Sequence, residues 1–318
     1  MKDATKIMKR HPANPLITPD DVPGALVVFN PSPAVYKGKT VLILSVYERT
    51  WPTCARGGWV AMSDDGVRFS IRPDPLINLA NAGHPFDKLA CAMIDARITP
   101  MGDTYYIMSP VFQNGEGPFT LLGKTQDFET YTPIEIVSTP VNRVPCLFPE
   151  KIDGKYCRLE RPGQVDGASI WISTSPDMIH WGCCRPILKP GYSVWNIIKI
   201  GPTPPLKTPD GWLVILHGVW SWTPGDVHYY IGAMLLDLKD PERVIGKTQS
   251  WLLAADAEYE ARGTINNVVF PCGALADPAK DELRIYYGAA DTCICLGFAL
   301  VDELVDRCRF IPDGDEPE

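Results

Sequence analysis

The sequence predicts an all-β protein, a single five-bladed β-propeller. Three observations support this fold: a related segment recurs five times along the 318 residues, the apolar stretches have strand-like lengths separated by turn residues, and no convincing amphipathic helix is visible. The repeat length of roughly 50 to 65 residues suits a four-stranded propeller blade. A β-sandwich would also contain many strands, but it would not produce five related copies. We therefore expect one catalytic domain over residues 1–318, with short N- and C-terminal extensions.

Each copy of the repeat contains an apolar segment, a short Gly-containing turn and a second apolar strand. The five copies begin at Pro33, Ala96, Leu147, Thr203 and Val269. A second apolar pair follows each copy, near Trp59, Leu121, Ile170, Tyr230 and Cys295. Short β-rich runs with turn residues between them are the pattern expected for antiparallel hairpins.

The charge balance excludes some classes of partner. The 38 acidic and 30 basic residues give a net charge of −8, which argues against a nucleic-acid partner while leaving room for a local cationic pocket. Residues Met1 to Arg10 are charged and lack the apolar region of a secretory signal, and no run is long enough to span a membrane. We therefore expect a cytoplasmic protein with no membrane partner. The sequence leaves open whether the protein forms a homo-oligomer.

The ten cysteines do not have the spacing of a disulfide framework or a thiolate metal site. Cys183 and Cys184 are adjacent, Cys293 and Cys295 are separated by one residue, and no Cys-x-x-Cys occurs. We interpret them as reduced thiols, mostly buried. Nothing in the sequence requires a metal or another cofactor.

Blade geometry predicts where a binding site would form. The first strand of an up-and-down blade lies nearest the axis, and the second is antiparallel to it, so the start of one and the end of the other share one end of the blade. Polar residues near first-strand starts are Asn30, Asp95, Asn142, Arg143, Lys199, Asn266 and Asn267. Those near second-strand ends are Glu48, Arg49, Arg161, His217 and Asp291. The sequence thus predicts a polar pocket on the axis.

The charge of this predicted pocket indicates its ligand. Arg143, Arg161, Lys199 and His217 would repel one another in a shared pocket unless an anion were bound, so an anion site is implied. Nearby tryptophans could stack on sugar faces or belong to the core. The core interpretation is favoured for Trp195 and is left open for Trp220 and Trp222.

Several motifs together resemble glycoside hydrolase family 130, the β-mannoside phosphorylases and their hydrolytic relatives. The resemblance covers nearly the whole chain. Its main segments are Phe29-Asn-Pro-Ser-Pro-Ala, Ile94-Asp-Ala-Arg, Leu147-Phe-Pro-Glu-Lys, Glu160-Arg-Pro, Lys199-Ile-Gly-Pro-Thr-Pro-Pro, His217-Gly-Val, Asn267-Val-Val-Phe-Pro-Cys-Gly and Tyr286-Tyr-Gly-Ala-Ala-Asp.

The resemblance implies a role for each matching residue. It makes Asp95 the sole catalytic acid, acting through a sugar hydroxyl. The implied phosphate site comprises Arg143, Arg161, Lys199, His217 and Tyr229. Asn30 and Asp291 would hold the mannosyl unit, and Arg49, Arg97 and Asn267 are further expected to bind substrate.

One acid beside a group of cations favours phosphorolysis. An inverting hydrolase needs a second group to activate water, whereas phosphate is already anionic and nucleophilic. We therefore expect phosphorolysis of a β-mannoside, giving α-mannose 1-phosphate and a shortened sugar, with an oligosaccharide and inorganic phosphate as substrates. Hydrolysis with Glu48 as base is one alternative. A sugar-binding propeller without catalysis is another, because Ile94 and Ala96 replace the Glu and Pro that usually flank the acid.

Overall fold

The computed structural model describes residues 7–48, 56–89, 95–163, 168–191, 198–221, 223, 225–277 and 280–308. Its strands form five antiparallel sheets. Consecutive strands pair within each sheet, except in the fourth, where two short strands pair beside the main path, and in the last, which includes the first strand of the chain. The predicted five-bladed β-propeller is confirmed. No helix among these residues is long and apolar enough to cross a membrane.

The blades follow one another along the chain. Blade 1 contains β2 (Ala25–Tyr36), β3 (Lys39–Glu48), β4 (Arg56–Ser63) and β5 (Ser70–Ile71). Blade 2 contains β6 (Arg97–Met101), β7 (Thr104–Gln113), β8 (Glu116–Thr125) and β9 (Thr132–Ile136). Blade 3 contains β10 (Asn142–Leu147), β11 (Tyr156–Pro162), β12 (Ile170–Ser175) and β13 (Gly182–Leu188).

The last two blades are less regular. Blade 4 contains β14 (Lys199–Pro202), β15 (Leu206–Thr208), β16 (Gly211–Ser221), β17 (Val227–Leu236), β18 (Val244–Lys247) and β19 (Leu253–Ala254). Blade 5 contains β20 (Val269–Asp277), β21 (Glu282–Ala289) and β22 (Cys293–Leu300), and its outer strand is β1 (Lys9–Arg10) from the other end of the chain. Two short helices, α1 (Glu258–Ala261) and α2 (Val301–Cys308), flank blade 5.

The apolar core lies between the blades. The first strands of neighbouring blades meet at the centre, where β2 contacts β6 and β20, and β10 contacts β6 and β14. Alternate strand residues face opposite sides of a sheet, so each blade presents apolar side chains to both neighbours. Ile43 and Ile107 pack between blades 1 and 2, for example, and Trp212 packs on Phe148 between blades 3 and 4.

Irregular backbone marks the inner strands at one end. Pairing registers shift between Phe29 and Ser32 in β2 and between Arg143 and Cys146 in β10. Asn30 and Asp95 have φ of 48° and 71°, values that Asn and Asp tolerate better than most residues. Val144 has φ of 49°, where a β-branched residue is strained by about 1–3 kcal/mol. These departures from regular strand geometry coincide with the candidate site.

Candidate active site

A cavity of about 310 Å³ lies among the inner strands of all five blades. Its lining residues are Asn30, Asp95, Arg143, Arg161, Gly163, Ala168, Lys199, His217, Tyr229, Val268, Phe270 and Asp291. Eight of the predicted polar site residues are therefore brought together, although they are scattered over more than 260 positions of sequence.

Asp95 is held at this cavity by Asn30. The Asn30 amide Nδ2 donates a hydrogen bond of 2.7 Å to Asp95 Oδ1, and both residues are buried. One carboxylate oxygen of Asp95 is thus fixed by a neutral donor from blade 1. A carboxyl group that is buried and fixed beside a cavity is a suitable general acid.

Cationic groups from blades 3 and 4 face Asp95 across the cavity. Arg143 and Arg161 are register partners in β10 and β11, and Lys199 begins β14. Burial, together with the charges of Arg161 and Arg143, lowers the pKa of Lys199 to about 8. Burial also lowers the pKa of Arg161 to about 10. Both pKa values are lowered because the cations are buried close to one another with too little negative charge nearby. An anion bound here would therefore be stabilised.

His217 is the partner of Arg161. The distance from Arg161 Nη1 to His217 Nε2 is 2.8 Å. Because a guanidinium can only donate, Nε2 must be the acceptor and the proton of the neutral ring lies on Nδ1. Burial, reinforced by Arg161, holds the pKa of His217 well below its ordinary value. The ring also packs on Phe270 with centroids 4.4 Å apart.

Gly201 makes this pair sterically possible. It is the register partner of His217 in blade 4, and a Cβ at this position would lie 2.6 Å from His217 Nε2 and 2.8 Å from Arg161 Nη1. Real Cβ contacts are essentially never this short. The glycine of the Lys199-Ile-Gly segment therefore provides the space that brings the arginine and the histidine together.

Tyr229 and Asp291 complete the polar lining. Lys199 Nζ lies 5.4 Å from the centre of the Tyr229 ring, a cation–π distance. Burial, with the nearby Asp291 carboxylate, raises the pKa of the Tyr229 hydroxyl to about 12. Burial and the charge of Asp95 raise the pKa of Asp291 to about 7. Tyr229 is thus a neutral donor at ordinary pH.

Other sequence candidates lie elsewhere. Arg97 is 1% exposed and does not line the cavity; it is buried near the thiols of Cys146 and Cys272, with its guanidinium carbon 5.5 Å from the Phe270 ring centre. Asn267 lines a neighbouring surface cavity with Asn266. Glu48 and Asn142 do not line the central cavity either. Arg49, Trp195 and Trp222 are outside the described residues.

Four lining residues were not among the sequence candidates: Gly163, Ala168, Val268 and Phe270. Small or apolar residues at strand ends cannot be distinguished in the sequence from residues of the core or of turns. The Asn267-Val-Val-Phe segment was the only signal that could have indicated Phe270, because it places that residue two positions after Val268 on one face of the inner strand.

The geometry defines a propeller enzyme that can hold a small anion beside a carboxylic acid. The family model for glycoside hydrolase family 130, described as beta-1,4-mannooligosaccharide phosphorylase, matches residues 2–310. This chain belongs to that family. The prediction of a β-mannoside phosphorylase is thereby confirmed at the level of the enzyme class.

Individual relatives agree with this assignment. The beta-1,4-mannooligosaccharide phosphorylase of Ruminococcus albus is 32% identical over 323 residues, covering 96% of this chain and 92% of that protein. The 1,2-beta-oligomannan phosphorylase of a Thermoanaerobacter species is 33% identical, covering 76% and 77%. Among solved structures, the beta-1,2-mannobiose phosphorylase of Listeria innocua in complex with beta-1,2-mannobiose superposes with a TM-score of 0.82 at 29% identity, covering 95% of this chain and 99% of that one.

Proposed function

We propose that this enzyme is an inverting phosphorylase that cleaves a terminal β-mannosidic bond with inorganic phosphate and releases α-mannose 1-phosphate. The observation that supports this most strongly is the placement of Arg143, Arg161 and Lys199 in one small cavity with Asp95. Three cations in the same small cavity as the Asp95 carboxyl group suit an anionic nucleophile better than water. The relatives named above are phosphorylases of β-1,4 and β-1,2 mannosides.

In the proposed reaction, phosphate oxygen attacks the anomeric carbon as the glycosidic C–O bond breaks. Asp95 Oδ2, the carboxyl oxygen not bonded to Asn30, delivers a proton toward the departing oxygen. A phosphate ester bond forms on the opposite face of the sugar, so the anomeric configuration inverts. The proton lost by hydrogen phosphate balances the one gained by the leaving sugar and restores the acid. No other cofactor enters this scheme.

The cations fix the nucleophile before the reaction. Arg161 can form paired hydrogen bonds with phosphate oxygens, and we assign His217 to orienting it because Nε2 is already bonded to Arg161. Tyr229 donates from its hydroxyl. Positioning two reactants in this way can remove about 7–11 kcal/mol of barrier.

Hydrolysis remains the competing reaction, with a different base from the one the sequence indicated. Glu48 does not line the cavity, whereas Asp291 does, and its raised pKa of about 7 is that of a group able to exchange a proton near neutrality. A water activated by Asp291 would release free mannose. The neighbouring cations weigh against this alternative because they favour an anion over water in the cavity.

The two reactions differ in their dependence on phosphate. We expect β-1,4- or β-1,2-mannobiose to be cleaved only when inorganic phosphate is present, with α-mannose 1-phosphate identified by phosphorus and proton NMR. Free mannose formed at an equal rate without phosphate would contradict the proposal and support hydrolysis.

A further inference from the structure

A second cavity opens between blades 2 and 3, next to the central one. Its volume is about 750 Å³, more than twice the 310 Å³ of the central cavity. Gly163 lines both cavities, so they adjoin. Arg143 and Arg161 face the centre, while their strand neighbours Asn142 and Glu160 line the second cavity, as strand alternation requires. We call this second cavity the interblade groove.

The floor of the interblade groove is polar and electrically balanced. Glu160 forms a 2.8 Å ion pair with Arg158 and accepts hydrogen bonds from Ser173 and Asn142. All four residues are at least nine-tenths buried. Asn142 Oδ1 is buried and has no hydrogen-bond partner among the described residues. An unpaired buried acceptor is costly unless a ligand or water donates to it.

Two indole rings form the walls. Trp181 is fixed by a 2.7 Å hydrogen bond from its Nε1 to the Met178 carbonyl, and its ring lies 4.3 Å from the Arg158 guanidinium carbon. Trp171 is half-buried and is the register partner of Glu160. Flat aromatic faces beside planar hydrogen-bonding groups suit a neutral ligand with apolar ring faces and hydroxyl edges, which describes a pyranose.

We propose that the interblade groove binds the non-reacting sugar units of a mannooligosaccharide whose terminal unit occupies the central cavity. The proposal rests on the proposed function for the nature of the sugar. Continuity through Gly163 gives the chain a path, the cancelled charges of Arg158 and Glu160 favour a neutral ligand, and Asn142 Oδ1 offers an acceptor for a sugar hydroxyl.

The test compares substrates that differ only in length. The measured quantity is kcat/KM for mannotetraose divided by kcat/KM for mannobiose, using both β-1,4- and β-1,2-linked series. We expect Trp171→Ala to lower this ratio roughly five- to tenfold, the effect of one lost stacking contact, and Trp171→Phe to retain most of it. Trp251→Ala is the matched control, because Trp251 is half-buried against Tyr230 and lines neither cavity. The control should leave the ratio unchanged.

An unchanged ratio in folded Trp171→Ala protein would overturn the proposal. If neither substrate yields mannose 1-phosphate, the proposed function fails, and calorimetry without phosphate then decides the groove separately. Weaker binding of mannotetraose to Trp171→Ala than to the unaltered enzyme would support the interblade groove. Equal binding would reject it.

Discussion

Asp95 and Asn30 come from different blades and meet at the cavity through an uncommon backbone conformation in each. Both residues have a positive φ, which interrupts the backbone where a regular strand would continue. Gly288 contributes as well, since a Cβ there would lie 2.6 Å from Asn30 Oδ1. The orientation of Asp95 therefore depends on the backbone conformations of Asn30 and Asp95, in blades 1 and 2, and on the absence of a side chain at Gly288 in blade 5.

Asp95→Asn tests the acid directly. The amide keeps the shape and can still bond to Asn30, but it cannot donate the carboxyl proton, so we expect kcat to fall by about two to four orders of magnitude. Phosphate binding, measured by calorimetry, should persist because the cations are untouched. Near-normal turnover in this variant would exclude Asp95 from the proton transfer.

Gly201→Ala tests the arrangement of Arg161 and His217. The added methyl must displace one of these side chains, so we expect the KM for phosphate to rise by the equivalent of about 1.5–3 kcal/mol, the value of a charge-assisted hydrogen bond. Gly182→Ala is the control, since no atom lies within 4 Å of the added Cβ. An unaltered phosphate dependence in folded Gly201→Ala enzyme would mean that the pair does not hold phosphate.

Seven of the eight predicted cavity residues were found because each was placed near a first-strand start or a second-strand end, positions that blade geometry maps to the axis, whereas Tyr229 was implied only by the family resemblance. Arg97 was also expected to bind substrate, but it lies two residues further along the chain than Asp95 and does not line the cavity; it is buried beside the Phe270 ring. Asn267 does not line the cavity either; its φ is 60°, and its carbonyl accepts a hydrogen bond from Tyr229 N. Neither the burial of Arg97 nor the positive φ of Asn267 can be recognised from the pattern of residue types.

At the scale of single elements, a recurring turn joins the third and fourth strands of blades 1, 2 and 3. In blade 2, the Asp127 carboxylate accepts hydrogen bonds from the backbone N–H groups of Glu129 and Thr130, which lower its pKa. Asp65 and Asp177 make the same pair of contacts in blades 1 and 3. The likeness of these segments was visible in the sequence and helped to predict the repeat.

The blade 2 turn supports an aromatic anchor. Phe128, at φ of 56°, is fully buried and lies 4.6 Å from the Tyr105 ring, between blades 1 and 2. The turn therefore holds Phe128 in a conformation that it would otherwise avoid. The short strands β15 and β19 of blade 4 had no equivalent signal in the sequence, because they are pairings of three and two residues that depend on tertiary contacts.

Asp127→Ala should weaken this anchor without touching the site. We expect the free energy of unfolding to fall by about 1 kcal/mol, a modest value because the carboxylate is largely exposed, while kcat at 25 °C stays unchanged. Thermal unfolding measures the first quantity. Asp74→Ala, at an exposed position, serves as the control. An equal melting temperature for the two variants would show that the Asp127 turn does not contribute to stability.

At the scale of the whole molecule, β1 closes the ring by pairing with β22. Arg10 forms a 2.7 Å ion pair with the fully buried Glu260 and donates to the Ala254 carbonyl. Glu260 also accepts from the Tyr287 hydroxyl. The Arg10–Glu260 ion pair was not predictable from the sequence, because the two residues lie 250 positions apart and neither belongs to the repeat.

Arg10→Ala should loosen the closure. Removing the cation leaves the Glu260 carboxylate buried with fewer donors, and we expect a loss of about 1–3 kcal/mol in the free energy of unfolding, seen as a lower melting temperature. Lys9→Ala, at the neighbouring exposed position, should have little effect. If both variants melt alike, the ion pair does not contribute to closure.

The pairing of Lys9 with Phe298 also determines how late in synthesis blade 5 can be completed. The roughly 290 residues that separate this pair must be synthesised before the outer strand of blade 5 has a partner, a wait of roughly 15 to 60 seconds at ordinary translation rates. Through that interval the emerged blades carry exposed strand edges, which are templates for pairing with other chains. A synonymous-codon change that slows translation late in the message should therefore lower the soluble yield without altering the finished enzyme.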